Sequence, residues 1–262
     1  MTDRPDKPLL LIKTGGTIPE TRDEHGDFEE WFARGLGAPG LHLANVFKGE
    51  VPPAEPAAYA AVIVTGSASM VSHREDWSER TAEWLASAVH LGLPVLGVCF
   101  GHQLLAHALG GVVGPNPRGR QIGTQVIETT PEAASDPLMC RMPTSMTVQT
   151  THVENVHELP AGAVRLATSP RDHNHAFRFG QRAWGVQFHP EFGADVMRGY
   201  IRARAQIIRD EGFDPEAIAA SVVETPVAHS LLGRFAALAG GIGETDACLH
   251  VSAPESLPGV AA

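Results

Sequence analysis

The chain has 262 residues, 43% of them hydrophobic, enough for one large domain with a sizeable core. Its formal net charge of -10 at pH 7 disfavours a nucleic-acid or anionic-membrane partner, because both need a basic footprint. No apolar run is long enough to span a bilayer, the polar start M-T-D-R-P-D-K-P has no signal-peptide character, and Cys99, Cys140 and Cys248 show no metal-type spacing, so a reduced, cytoplasmic protein is expected.

Leu9 to Lys13 (L-L-L-I-K) is a short apolar run that stops at Thr14-Gly15-Gly16 and reads as a buried strand. Residues 17 to 26 follow it and would overhang the carboxyl edge of a sheet. They read as a solvated surface loop, with a lid over a site as the alternative. A helix-start signal at Asp27 precedes a short helix over residues 28 to 36, and His42 to Lys48 reads as a second strand. Ala61 to Thr65 (A-V-I-V-T) is another buried strand, closing at Gly66-Ser67-Ala68-Ser69. Trp77 to Leu91 has apolar residues at helical spacing, Pro94 to Val98 is again an apolar run, and Gln103 to Leu109 is again helical.

Continuous apolar strands separated by helices imply a parallel sheet covered on both faces. Beyond them, Gly123 to Thr129, Ser145 to Thr150, Val164 to Thr168, Ala176 to Phe179 and Ala183 to Phe188 read as short strands of a partly antiparallel addition. After Glu191 helices are predicted over Asp195 to Asp210, Pro215 to Val223 and Val227 to Leu238. A Gly-, Ala- and Pro-rich tail from Gly240 is expected to be loosely ordered. The expected fold class is α/β: an open, mostly parallel sheet with helices on both faces, residues 1–212 forming one domain and 213–262 a helical extension and tail.

Gly97-Val98-Cys99-Phe100-Gly101 joins a strand to a helix in the form G-x-nucleophile-x-G, a nucleophile elbow with cysteine. Glycines on both sides permit a sharp turn and leave the thiol exposed at the carboxyl end of the sheet, where open α/β sheets bind ligands. The helix N-terminus favours the thiolate, and the Phe100 N–H points where a tetrahedral oxyanion would form. A base is available in W-G-V-Q-F-H-P-E-F, residues 184 to 192: His189 follows a strand, and Glu191 projects to the same side to orient the imidazole.

G-V-C-F-G-H-Q together with G-V-Q-F-H-P-E resembles the class I (triad-type) glutamine amidotransferase family, whose motif order also fits I-V-T-G-S-A-S and T-H-V-E-N-V. The chain is most similar to stand-alone members related to the amidotransferase domain of GMP synthase. The resemblance implies a flavodoxin-like fold, no cofactor, and a Cys99–His189–Glu191 triad in which Cys99 attacks the side-chain amide of glutamine and forms a γ-glutamyl thioester. It implies an oxyanion hole from the N–H of Phe100 and from the Gly66-Ser67 loop. It also implies substrate contacts from Gln103 and from the backbone around Thr151 and His152, with Glu154 standing where relatives have aspartate. His102 is expected to support the elbow and His107 to be packed or at the surface. No metal is expected: the His173-Asn174-His175 run lies on one loop with no accompanying ligand cluster.

The stretch after Glu191 carries neither a pyrophosphatase loop nor a phosphate-binding loop, so a separate synthetase is the expected acceptor of any ammonia. The expected substrate is glutamine or another γ-glutamyl small molecule. A γ-glutamyl peptidase using the same triad is the alternative. A non-catalytic binding module has no need for an intact triad, and the elbow-cysteine folds of protein repair lack an F-H-P-E segment at this spacing.

Overall fold

The computed structural model describes residues 7–240. The first half alternates strand and helix as β1 (Leu9–Lys13), α1 (Pro19–His25), α2 (Phe28–Leu36), β2 (Leu41–Asn45), β3 (Ala61–Val64), α3 (Asp76–His90), β4 (Val95–Val98) and α4 (Phe100–Ala108). Strands then dominate, with β5 (Val112–Pro115), β6 (Gln121–Thr129), β7 (Ser145–His152), β8 (Glu154–Glu158), β9 (Val164–Ser169), β10 (Asp172–Phe179) and β11 (Ala183–Val186). Helices α5 (Ala194–Ala203), α6 (Ala205–Asp210), α7 (Pro215–Ala220) and α8 (Pro226–Ala239) close the described chain.

The main sheet has the order β2-β1-β3-β4-β11-β10-β9-β6-β7. Its β2-β1-β3-β4-β11 part is parallel, and every pairing from β11 to β7 is antiparallel, so the expected α/β class with an antiparallel addition is found. The apolar runs are continuous because both sheet faces are covered. Leu11, Ile63, Leu96 and Val186 pack with Trp31 and Phe32 of α2 and with Leu231 and Phe235 of α8. Leu10, Ile12, Val62 and Val64 pack on the other face with Leu85 of α3 and Leu104 of α4. Helix α2 begins at the Asp27 signal with a capping box, the Asp27 N–H donating to Glu30 Oε2 at 2.8 Å.

Several expectations change. Residues 17 to 26 are not an irregular loop, although most of the segment is exposed to solvent. They hold α1, whose Thr21 is buried, and Thr17 Oγ1 donates to Tyr200 Oη of α5 at 2.9 Å. The second strand stops at Asn45 because Val46–Lys48 wind into a 3-10 turn ended by Gly49. Strands β5 and β8 pair in a small separate sheet that the sequence did not suggest. The helix predicted over Asp195 to Asp210 breaks at Arg204, which has φ -105° and ψ 10°. The tail beyond Gly240 lies outside the described residues. No helix among the described residues is long and apolar enough to cross a membrane.

Candidate active site

The parallel strands β1, β3, β4 and β11 end on one edge, and the chain segments that leave them converge there. Cys99 follows β4 and precedes α4, with φ 53° and ψ -103°. Positive φ in a non-glycine residue costs about 1–3 kcal/mol and persists only where the surroundings impose it. Here the two flanking glycines impose it. A Cβ on Gly97 would lie 2.3 Å from the Gly101 carbonyl oxygen, and one on Gly101 would lie 2.4 Å from the Val64 carbonyl oxygen. The elbow is therefore clamped between its own first helical turn and β3.

His189 lies just beyond β11, its N–H donating to the Gln149 carbonyl at 2.8 Å. Its Nδ1 hydrogen-bonds Glu191 Oε1 at 2.7 Å, and both side chains are buried. The ring stacks on Phe192, centroids 4.1 Å apart and planes 17° apart, and Phe192 is backed in turn by Phe28 and Trp31. Burial alone would drive the His189 imidazolium toward neutrality. The Glu191 carboxylate and the Cys99 thiol outweigh it and push the pKa up to about 10. Nε2 is buried without a close hydrogen bond, and the Cys99 thiol instead points at the Thr151 carbonyl oxygen, 3.7 Å away. Such loose geometry is common before substrate tightens a site. His189 Cε1 would lie 2.8 Å from a Cβ on Gly66, so imidazole, thiol and the loop after β3 meet at one point.

That loop is braced from β1. Thr14 N–H donates to Thr65 Oγ1 at 3.0 Å, Thr14 Oγ1 to the Thr65 carbonyl at 2.9 Å, and Ser67 Oγ to the Thr14 carbonyl at 2.7 Å. The Ser67 hydroxyl is thus spent on holding the loop, which leaves backbone N–H groups as the donors the site can offer. Phe100 opens α4, so its N–H is one of the helix's unpaired first donors. Gln103 Nε2 donates to the Glu154 carbonyl at 2.8 Å and to Gln187 Oε1 at 3.0 Å.

A cavity of about 170 Å³ opens on Cys99, Phe100, Gln103, Thr151 and His152, so those predicted residues surround one space. It is also lined by Ser67, Glu154, Arg120 and Arg204. The two arginines were not anticipated. Arg120 forms a bidentate ion pair with Glu211, Nε to Oε2 at 2.9 Å and Nη2 to Oε1 at 3.0 Å. Arg204 lies with its guanidinium carbon 4.8 Å from the Tyr200 ring centroid, a cation–π contact.

The remaining candidates sort clearly. His102 is fully buried against Phe177, and burial lowers its pKa to about 3, so it is a neutral support behind the elbow. His107 bonds Glu79 at 3.1 Å, as a packed histidine. Cys140 is disulfide-bonded, so the reduced state expected for it does not hold; Cys99 is free, and Cys248 lies outside the described residues. The His173-Asn174-His175 run is part of strand β10 rather than a loop, with His173 exposed and His175 buried. His175 meets His152 and Asp172, and their ligand-type atoms lie within 4.8 Å of one another. Burial lowers the His152 pKa to about 4, and its Nδ1 bonds the Glu154 carbonyl at 2.8 Å, leaving Nε2 as the free lone pair. Of the described residues, this buried group is the one whose donor set could hold a cation.

The family model of glutamine amidotransferase class-I matches residues 22–204. The chain is 28% identical over 194 residues to gamma-glutamyl peptidase 5 of Arabidopsis thaliana, covering 72% of this chain and 76% of that protein. It is 31% identical over 198 residues to a glutamine-hydrolyzing GMP synthase of Aeropyrum pernix, covering 72% of this chain and only 36% of that enzyme. A solved glutamine amidotransferase from Thermotoga maritima shares the fold, with a TM-score of 0.72 at 23% identity, covering 89% of this chain and 98% of its own.

Proposed function

Because the chain belongs to the class I glutamine amidotransferase family, we propose that it hydrolyses the side-chain amide of glutamine, or of a γ-glutamyl compound, through a thioester on Cys99. The observation that carries this reading is the buried His189–Glu191 pair, 2.7 Å apart, set beside a cysteine on a strained elbow. With its pKa pushed up to about 10, His189 is an imidazolium at neutral pH, held so chiefly by the Glu191 carboxylate beside it, and it faces Cys99 across the site as the acid for the departing nitrogen.

The thiolate adds to the amide carbon, and the carbonyl π electrons move to oxygen. That oxyanion is met by the N–H of Phe100 and by an N–H of the Gly66-Ser67 loop. Collapse of the tetrahedral adduct breaks the C–N bond while His189 Nε2–H protonates the departing nitrogen. Ammonia leaves, or an amine where the substrate is a γ-glutamyl peptide. Neutral His189 then takes a proton from water, the hydroxide adds to the thioester, and glutamate departs as the C–S bond breaks and the thiolate–imidazolium pair is restored. Glu191 holds the imidazole in one tautomer and stabilises its charge throughout. Gln103 and the backbone at Thr151 and His152 hold the glutamyl group.

A second reading, γ-glutamyl peptidase action needing no acceptor protein, is favoured by the resemblance over 76% of the plant peptidase, against 36% of the synthase. In the first reading ammonia passes to a separate synthetase. Both keep the chemistry in residues 1–212, with α7 and α8 as buttresses.

The test is glutamate release from purified protein given glutamine and a γ-glutamyl dipeptide in parallel, with Cys99→Ala as control. Release that vanishes in the variant supports the proposal, and the preferred substrate chooses between the readings. Release that survives the substitution overturns it. If neither substrate is turned over, failure of a glutamine-like electrophile to label Cys99 also overturns it.

A further inference from the structure

Resting on that reading, we propose that Arg204 is the carboxylate-binding residue of the active-site cavity and so restricts the enzyme to γ-glutamyl substrates bearing a carboxylate at the subsite it faces. Among the described residues the Arg204 side chain donates no hydrogen bond and enters no ion pair. Its Nη1 is buried and unpartnered, and its contact is with the face of Tyr200. A partly buried guanidinium without an anion is costly, because desolvation is compensated only by paired charge. This cation lines the same space as Cys99.

The neighbours sharpen the point. Arg120 lines the cavity too, but Glu211 already claims its guanidinium. Its positive charge repels that of Arg204, so an anion entering between them is favoured by both. Strand register places Arg120 beside the substrate strand, since the next residue, Gln121, pairs with His152. The facing groups of opposite sign are few: Glu154 lines the cavity, and the Ser72 N–H lies 3.4 Å from its Oε2. The space therefore offers carboxylate and guanidinium together, the complement of an amino-acid head group carrying an ammonium and a carboxylate. Arginine also fits a planar carboxylate bidentately, which lysine cannot.

The break between α5 and α6 supplies the placement. Arg204 follows Tyr200 by one helical turn, so its side chain lies over that ring, and the backbone leaves helical geometry at this residue before α6 resumes. Tyr200 is itself held by Thr17 Oγ1, 2.9 Å from its hydroxyl, and by the Phe192 ring that backs His189. The guanidinium is thus fixed relative to the proposed base through two intervening aromatic rings.

Two carboxylates of a γ-glutamyl substrate could meet Arg204: the α-carboxylate of the glutamyl group, or that of a leaving amino acid. Four substrates separate them, namely glutamine, glutamine α-amide, γ-glutamylglycine and γ-glutamyl methylamide, each measured as kcat/KM for wild type, Arg204→Gln and Arg204→Lys. Charge-assisted hydrogen bonds predict a loss of roughly ten- to hundredfold in Arg204→Gln, mainly in KM, with partial rescue in Arg204→Lys. Loss with every substrate except the α-amide assigns the α-carboxylate. Loss with γ-glutamylglycine alone assigns the leaving group. A uniform loss across all four, or none, overturns the proposal. Should wild type turn over none of them, the hydrolase reading fails separately. Calorimetric binding of glutamate and of γ-glutamylglycine to Cys99→Ala, with and without Arg204→Gln, then decides this one: weakening of tenfold or more for either supports it, and equal affinity for both refutes it. Thermal melts of each variant confirm folding.

Discussion

Replacing Glu191 with glutamine keeps the shape of the site and removes one charge. At 2.7 Å and an effective dielectric constant of about 20, the carboxylate–imidazolium attraction is about 6 kcal/mol, or about 4 pKa units. His189 stands at about 10 because this attraction, aided by Cys99, overcomes burial. Without it the imidazolium should titrate near 6. The sign follows directly: His189 is cationic below its pKa, and in the proposed mechanism amide cleavage needs that cation to protonate the leaving nitrogen. In wild type kcat should hold across neutral pH and fall as pH rises through about 10. In Glu191→Gln the falling limb should move to near neutral pH. The imidazole also loses the partner that fixes its tautomer, and a drop of about 10²- to 10⁴-fold in kcat at pH 7.5 is expected. Cys99 alkylation by a small haloacetamide, followed by mass spectrometry, reads the thiolate without any substrate. Its pH profile should shift upward in the variant as the ion pair weakens. A variant with an unmoved alkylation profile and kcat within threefold of wild type would refute the reasoning.

Other outcomes follow from named contacts. Cys99→Gly should melt higher than Cys99→Ala by about 1 kcal/mol in unfolding free energy, because only glycine relieves the positive φ; equal stability would mean the elbow is unstrained. Gly66→Ala should cut turnover at least tenfold, since its Cβ would meet the His189 ring at 2.8 Å and push it from its seat; Gly101→Ala should instead lower soluble yield, because its obstacle is the Val64 backbone. Buried His102 and His152 stay neutral in the folded state down to about pH 3 and 4, while the unfolded chain protonates near 6.5. Stability should therefore fall as pH drops below 6.5, by up to about 1.4 kcal/mol per pH unit for each histidine, and His102→Gln should flatten the slope in urea titrations at pH 7 and 5.

Much of this was legible locally. β1 and β3 are apolar runs that give way to Thr14 and Thr65, β4 runs into the Cys99 elbow, and the burial that makes them apolar is on both sides. The elbow and the His189-Pro190-Glu191 segment are short motifs whose geometry depends on a few adjacent residues. What escaped reading depends on distant partners. β8 (E-N-V-H-E) is polar in sequence, and Val156 is buried only because β5 and neighbouring elements cover it. The break at Arg204 has no glycine or proline to announce it. Phe192 reads as one more apolar residue after the motif, yet it is the platform under His189. In β10, D-H-N-H-A-F gives no sign that Asp172 and His175 turn inward to meet His152 from another strand.

Strand order has a consequence for how the molecule comes into being. β11 sits between β4 and β10, so the parallel half and the antiparallel half are stitched together by the last strand of the described residues to be synthesised. Until it arrives, β4 is a bare, wholly apolar margin that offers its peptide groups to any passing chain. The same insertion carries His189 to Cys99. A nascent or truncated polypeptide lacking β11 would therefore lack the proposed base and be sticky at once. The enzyme's chemistry and its protection from aggregation should appear together, in a single late step dominated by pairings between residues far apart in the chain.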